Sequence, residues 1–181
     1  MLPRPLISNA RPPTPAAPRG FTLIEILIVV VMLGILAALA IPQFSNATTE
    51  ARENMLAENL RVIKAQIGTY RAQHWDMPPG YPDGDVAAAP TEQAFVSQLT
   101  RFTDEQGAVS DARSDRFKYG PYMREIPKDP INGQNAVQVL GPGEAIPDGD
   151  DSHGWIFSPG DMFLAADAAG TDSKGKKYSD Y

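Results

Sequence analysis

The sequence predicts an α+β protein. A long N-terminal helix, with a transmembrane first half and an amphipathic second half, packs on a small antiparallel β-sheet domain. Three observations carry this reading. Residues 21–41, FTLIEILIVVVMLGILAALAI, contain a single charge, Glu25. Beyond Pro42, the residues Leu56, Leu60, Ile63, Ile67, Tyr70 and His74 recur at alternating spacings of four and three, which is one stripe along a helix. Towards the C-terminus, short apolar segments separated by turn residues read as strands.

The apolar run is the clearest element. At about 1.5 Å per residue, a helix of this length extends roughly 31 Å, the thickness of a bilayer's hydrocarbon core. It lacks the recurrent polar face of a soluble helix. Charge is distributed asymmetrically around it. The first 20 residues carry Arg4, Arg11 and Arg19 and no acid, whereas residues 43–181 carry 13 Lys and Arg against 21 Asp and Glu. Basic residues before the span and an acidic domain after it place the N-terminus in the cytoplasm and the domain outside. That acidity argues against nucleic acid as a general partner. There are no cysteines, so no disulfide staples the domain.

Glu25 is the exception within the run. A carboxylate in lipid costs about 2.5 kcal/mol or more and usually has a partner and a role. It either reaches the headgroups from the helix end or meets a positive charge. Arg19 and Gly20 stand immediately before Phe21. Cleavage after Gly20 would create a cationic α-amine at Phe21, about one helical turn from Glu25, or within reach of the carboxylate of a staggered neighbouring copy. The segment Arg19-Gly20-Phe21-Thr22-Leu23-Ile24-Glu25 followed by an uncharged helix resembles the class III signal of type IV pilins and type II secretion pseudopilins. The resemblance implies cleavage between Gly20 and Phe21 by a prepilin peptidase, N-methylation of Phe21, and pairing of Glu25 with a neighbour's amine. Gly34 and Pro42 match positions where the family's helix is often interrupted or extended in the filament. Physically, Gly weakens a helix, and Pro removes a backbone hydrogen bond and clashes with the preceding turn.

Four segments follow. Residues 1–20 form a proline-rich leader peptide, residues 21–42 the transmembrane and assembly helix, residues 43–76 the amphipathic soluble half of the spine helix, and residues 77–181 a small globular pilin-like head. The helix is expected to run to about Trp75, with Arg52, Glu53, Glu58, Arg61, Lys64 and Arg71 mainly off its apolar stripe and His74 at the stripe's boundary. Pro78, Pro79 and Pro82 end it. Thr91 then caps a short helix reaching Phe102 and burying Phe95, Leu99 and Phe102. Residues 103–116 read as a polar surface loop. Residues 117–133, FKYGPYMREIPKDPING, resemble the segment of the major pseudopilin (protein G) group in which a GPY-like turn leads to an IP…DP turn. Residues 136–140 form a strand, and residues 154–157 and 162–166 form a hairpin around Ser158-Pro159-Gly160-Asp161. About three short antiparallel strands result. The polar tail, TDSKGKKYSDY, winds over the surface.

The sequence offers no enzyme chemistry. There is no Cys, the two histidines are His74 and His153, and neither a Gly-x-Ser-x-Gly elbow nor a phosphate-binding glycine loop occurs. Asp148, Asp150 and Ser152 begin like an EF-hand loop, but His153 and Pro159 stand where that loop needs Gly and Glu. Major pseudopilins often bind calcium near the C-terminal loop, where Asp167, Asp172 and Asp180 lie here. Their spacing matches no ligand motif, so they read as solvated acids, with neither metal nor cofactor expected. The function expected is structural: an inner-membrane subunit, its head periplasmic, assembling through its N-terminal helix into a type II secretion pseudopilus. The implied partners are further copies of the chain in a helical filament, the prepilin peptidase, the inner-membrane assembly platform with its ATPase, minor pseudopilins and membrane lipid. The alternative is a type IV pilin for adhesion, motility or DNA uptake. A different class, a membrane-anchored binding module or enzyme, would require a ligand pocket in residues 77–181 and would act without polymerising.

Overall fold

A computed structural model describes residues 20–181. The predicted leader, apart from Gly20, lies outside the described residues. The chain divides into two units, Met1–Gln43 and Phe44–Tyr181. Helix α1, Leu23–Gln73, runs through the first unit into the opening of the second, and its backbone is helical at both Gly34 and Pro42.

In the first unit, the large apolar side chains from Phe21 to Leu39 are 47–86% exposed. Leu23–Ala40 is long and apolar enough to cross a membrane. Side chains of this kind left uncovered over a full bilayer thickness require lipid or other helices around them.

In the second unit the predicted stripe is the core. Leu56, Leu60, Ile63, Ile67 and Tyr70 are at most 2% exposed and meet Phe95, Leu99, Val137, Trp155, Phe157 and Leu164. Burying such side chains stabilises by about 1.5–3 kcal/mol each. The stripe continues one step further towards the N-terminus than its apolar residues do. Glu53, expected off it, is buried at 6% exposure. His74, expected at the boundary, is fully buried and stacks on Tyr70 at 3.8 Å. The helix ends at Gln73, where Trp75 and Asp76 adopt left-handed backbone angles and Arg71 forms an ion pair with Asp76.

Helix α2, Glu92–Thr100, begins at Thr91, whose hydroxyl accepts the Ala94 N–H as expected. It stops two residues short of Phe102, which instead opens strand β1, Phe102–Thr103. This strand pairs antiparallel with β2, Val109–Ser110. The supposed surface loop is therefore partly interior. Thr103 and Asp104 are buried, and Asp104 accepts hydrogen bonds from Gln106 N–H, Ala108 N–H and Arg116. A polar side chain can be buried when its partners come with it.

Strands β3 (Val137–Val139), β4 (Trp155–Ser158) and β5 (Phe163–Ala166) form the main sheet in that order. The β4–β5 pairing is the expected antiparallel hairpin, with Ser158 opposite Phe163, so the turn lies one residue later than anticipated. The β3–β4 pairing is parallel, not antiparallel. The connection from Leu140 to Gly154 is long enough to cross back and re-enter in the same direction, which a tight turn is not. The sheet is thus mixed, and the fold class remains α+β. β4 is central and buried on both faces.

The segment resembling the GPY-to-DP turns ties these elements together. Tyr122 and Met123 donate backbone N–H groups to Leu99, Pro127 accepts from the Trp155 indole, and Lys128 accepts from Asn59 of α1.

Candidate functional site

The start of α1 and the residues just before it carry Gly20, Phe21 and Glu25. Gly20 has no heavy atom within 4 Å of where a Cβ would project, and Phe21 is 77% exposed. Glu25 sits one turn into the helix and closes a reciprocal cap with Thr22. The Glu25 N–H donates to Thr22 Oγ1 at 3.2 Å, and Glu25 Oε2 accepts from Thr22 N–H at 3.3 Å and from Thr22 Oγ1 at 3.4 Å. This is a capping box, in which Thr and Glu three residues apart satisfy the backbone donors that a helix start leaves open. Carboxylates also favour the positive end of the helix dipole.

The cap was present in the sequence as Thr22-Leu23-Ile24-Glu25 and is the local feature missed there. The apolar run drew attention to the charge of Glu25 and away from its helix-start position. Phe21 thus lies four residues before a carboxylate that accepts two hydrogen bonds from Thr22. Gly34 and Pro42 lie further along the same helix, and Gly34 has open space where a side chain would project.

At the other end of the sequence, two of the three acids read as solvated are buried. Asp167 is 1% exposed; one oxygen accepts Asp150 N–H at 3.1 Å and the other accepts His153 N–H at 2.7 Å and Ser152 Oγ at 3.1 Å. Asp172 accepts Lys174 and Lys176 N–H at 2.8 Å each and Tyr181 OH at 2.6 Å, and the Tyr181 interaction is the foremost cause holding its carboxyl below the usual carboxylate range. Only Asp180 is exposed. Calcium takes six to eight converging oxygens. Among the described residues no group of three or more His, Cys, Asp or Glu is placed to hold a metal, so the residues as disposed do not fit the calcium site implied by the resemblance.

Residues 16–41 match the family model of the prokaryotic N-terminal methylation motif. With its exposed apolar helix and α+β head, the chain is therefore a membrane-anchored subunit of the pilin-like class. It is 30% identical over 128 residues to the type II secretion system core protein G of Pseudomonas aeruginosa, covering 71% of this chain and 77% of the relative. It is 29% identical to the protein of the same name from Klebsiella pneumoniae, over 70% of this chain and 76% of that one. A type IV major pilin, PilA of Myxococcus xanthus, is 28% identical over 71% of this chain but only 47% of its own length. No solved structure matches. The chain belongs to the type II secretion system core protein G family; it is a pseudopilin, a structural subunit of a pilus-like filament.

Proposed function

We propose that this pseudopilin is cut between Gly20 and Phe21 by a prepilin peptidase, methylated on the new amine of Phe21, and assembled into a periplasmic pseudopilus through α1. Glu25 pairs with the amine of a neighbouring subunit. The observation that carries this is the placement of Glu25: a single exposed carboxylate four residues after Phe21, at the start of an apolar helix long enough to cross a membrane. Gly20 serves the peptidase because the backbone there is open to close approach. Gly34 and Pro42 are the positions where the helix gives way on entering the filament, each lacking part of what stabilises a helix interior. The basic leader stays in the cytoplasm and the acidic head lies in the periplasm. The assembly platform, its ATPase and the minor pseudopilins are the partners that supply energy and initiation.

Gly20→Val is expected to accumulate as full-length precursor in the membrane, read by mass spectrometry of the N-terminus. Glu25→Ala is expected to be cleaved and yet to yield no filaments by electron microscopy of sheared material. Normal processing of the first, or wild-type filament yield from the second, overturns the respective assignment. The pilin reading is favoured by the PilA relative, but the chain covers about half of that protein's length.

A further inference from the structure

We propose that residues 171–181 form a clasp on helix α1, closed by the carboxylates of Glu53 and Asp172, that needs no bound cation to stay shut. Glu53 is 6% exposed, and its two oxygens take both donors of Ser173, the N–H and the hydroxyl, at 2.8 Å each. Next to it, Asp172 organises the turn that Gly175 permits. Its side chain accepts the N–H groups of Lys174 and Lys176, its backbone N–H donates to Lys176 O, and Gly175 adopts a positive φ of 82°. The Tyr181 hydroxyl then returns to Asp172. Tyr178, between the two, is buried in the core, and Lys64 of α1 donates to Tyr181 O at 3.4 Å.

Glu53 is thus engaged with Ser173, Asp167 with residues 150–153 and Asp172 with residues 174–181, each in its own loop, and among the described residues no group of three or more His, Cys, Asp or Glu is placed to hold a metal. Asp180 alone does not make a site. The turn, the buried tyrosine and the helix carboxylate perform the tethering that a metal performs elsewhere.

Hydrogen exchange followed by mass spectrometry on the full-length protein in detergent tests this, comparing calcium with excess chelator. The exchange of residues 171–181 and the melting temperature are expected to be the same in both. Glu53→Ala is expected to speed exchange there on the order of tenfold or more, since a hydrogen bond to a charged group is worth about 1.5–3 kcal/mol and about 1.4 kcal/mol is tenfold. Ser173→Ala, at an exposed residue that leaves the core intact, and Tyr181→Phe should each have a smaller effect in the same direction. Faster exchange on chelation of the wild type, or an unchanged tail in both Glu53→Ala and Tyr181→Phe, overturns the proposal. Processing at Gly20 plays no part in this readout, so its outcome is separable from that of the assembly reading.

Discussion

His74 and Asp129 are both fully buried, and their protonation pulls stability in opposite directions. His74 Nδ1 donates to Tyr70 O at 2.7 Å, and Nε2 shares a hydrogen bond with Thr103 Oγ1 at 2.9 Å. Burial, the largest influence, disfavours the charged ring and holds its pKa below the ordinary 6.5. A group with a depressed pKa lends stability that is present above its unfolded pKa and lost as pH falls through the folded one. The head is therefore expected to lose melting temperature as pH drops below about 6.5, and His74→Ala to cost about 2–4 kcal/mol in denaturant titration. Asp129 has the opposite sign. Burial, followed by the neighbouring Asp151 and Asp167 charges, raises its pKa, although Ile131 N–H donates to Oδ1; Oδ2 has no partner. Its favourable contribution is complete below the unfolded value of 3.8 and is lost as pH rises through the folded one. Asp129→Asn should accordingly raise the melting temperature at pH 8 by about 2–4 °C, the equivalent of roughly 1 kcal/mol, with the gain vanishing near pH 4. A lower melting temperature for this variant at pH 8 would show the buried charge to be stabilising. Neither residue was legible in advance. A histidine at the end of an apolar stripe looks like an edge, and an Asp before Pro looks like any turn, until partners distant in sequence are known.

At the scale of elements, the stripe of α1 was legible because its periodicity is local, and its continuation at Glu53 was not. A charged residue among Arg52, Asn54 and other polar positions has the composition of a solvated face, and the group that satisfies it, Ser173, lies 120 residues away. The parallel β3–β4 pairing was hidden for a similar reason: strands of three or four residues carry no record of direction. Helical periodicity makes a sharp prediction. Leu60→Ala should cost about 2–5 kcal/mol, whereas Val62→Ala, two residues on and 36% exposed, should change stability by about 0.5 kcal/mol or less. Equal effects would contradict the assignment of the buried face. The tail makes another. The hydrogen bond to Asp172, ahead of burial, pushes the Tyr181 hydroxyl up to about 12. The surrounding charges are Asp172, Glu53 and Tyr178, together with Lys176 over the Tyr181 ring at 4.4 Å and Lys64 at its carbonyl. A raised pKa means stability that is full below 10 and disappears as pH climbs through the folded value. Tail protection in hydrogen exchange should therefore decline between about pH 10 and 12, and Tyr181→Phe should remove that pH dependence from the tail and reduce the late rise in tyrosinate absorbance, to which Tyr122 and Tyr178 also contribute.

For the whole molecule, the membrane segment and the first-turn motif could be read from the sequence because lipid imposes composition directly. The head's polar architecture, in which Asp104, Asp167 and Asp172 each organise a loop from inside, could not, since buried and solvated acids have the same letters. Glu25 joins the two cases, being conspicuous as a charge and overlooked as a cap. The two roles are separable by experiment. Glutamine retains the oxygen that accepts from Thr22, and the capping box tolerates either residue, so Glu25→Gln preserves the helix start while removing the charge. If Glu25 acts as a counter-charge in lipid, where an unpaired ion costs about 2.5 kcal/mol or more, Glu25→Gln should be processed normally and, like Glu25→Ala, should yield no filaments. If the cap alone matters, Glu25→Gln should assemble like wild type while Thr22→Ala, which keeps the carboxylate and removes the hydroxyl, should not. Filament yield from these two variants assigns the residue to one role or the other. Since capping contributes only about 1 kcal/mol, the counter-charge is the larger effect and the expected outcome is loss of assembly in Glu25→Gln with assembly retained in Thr22→Ala.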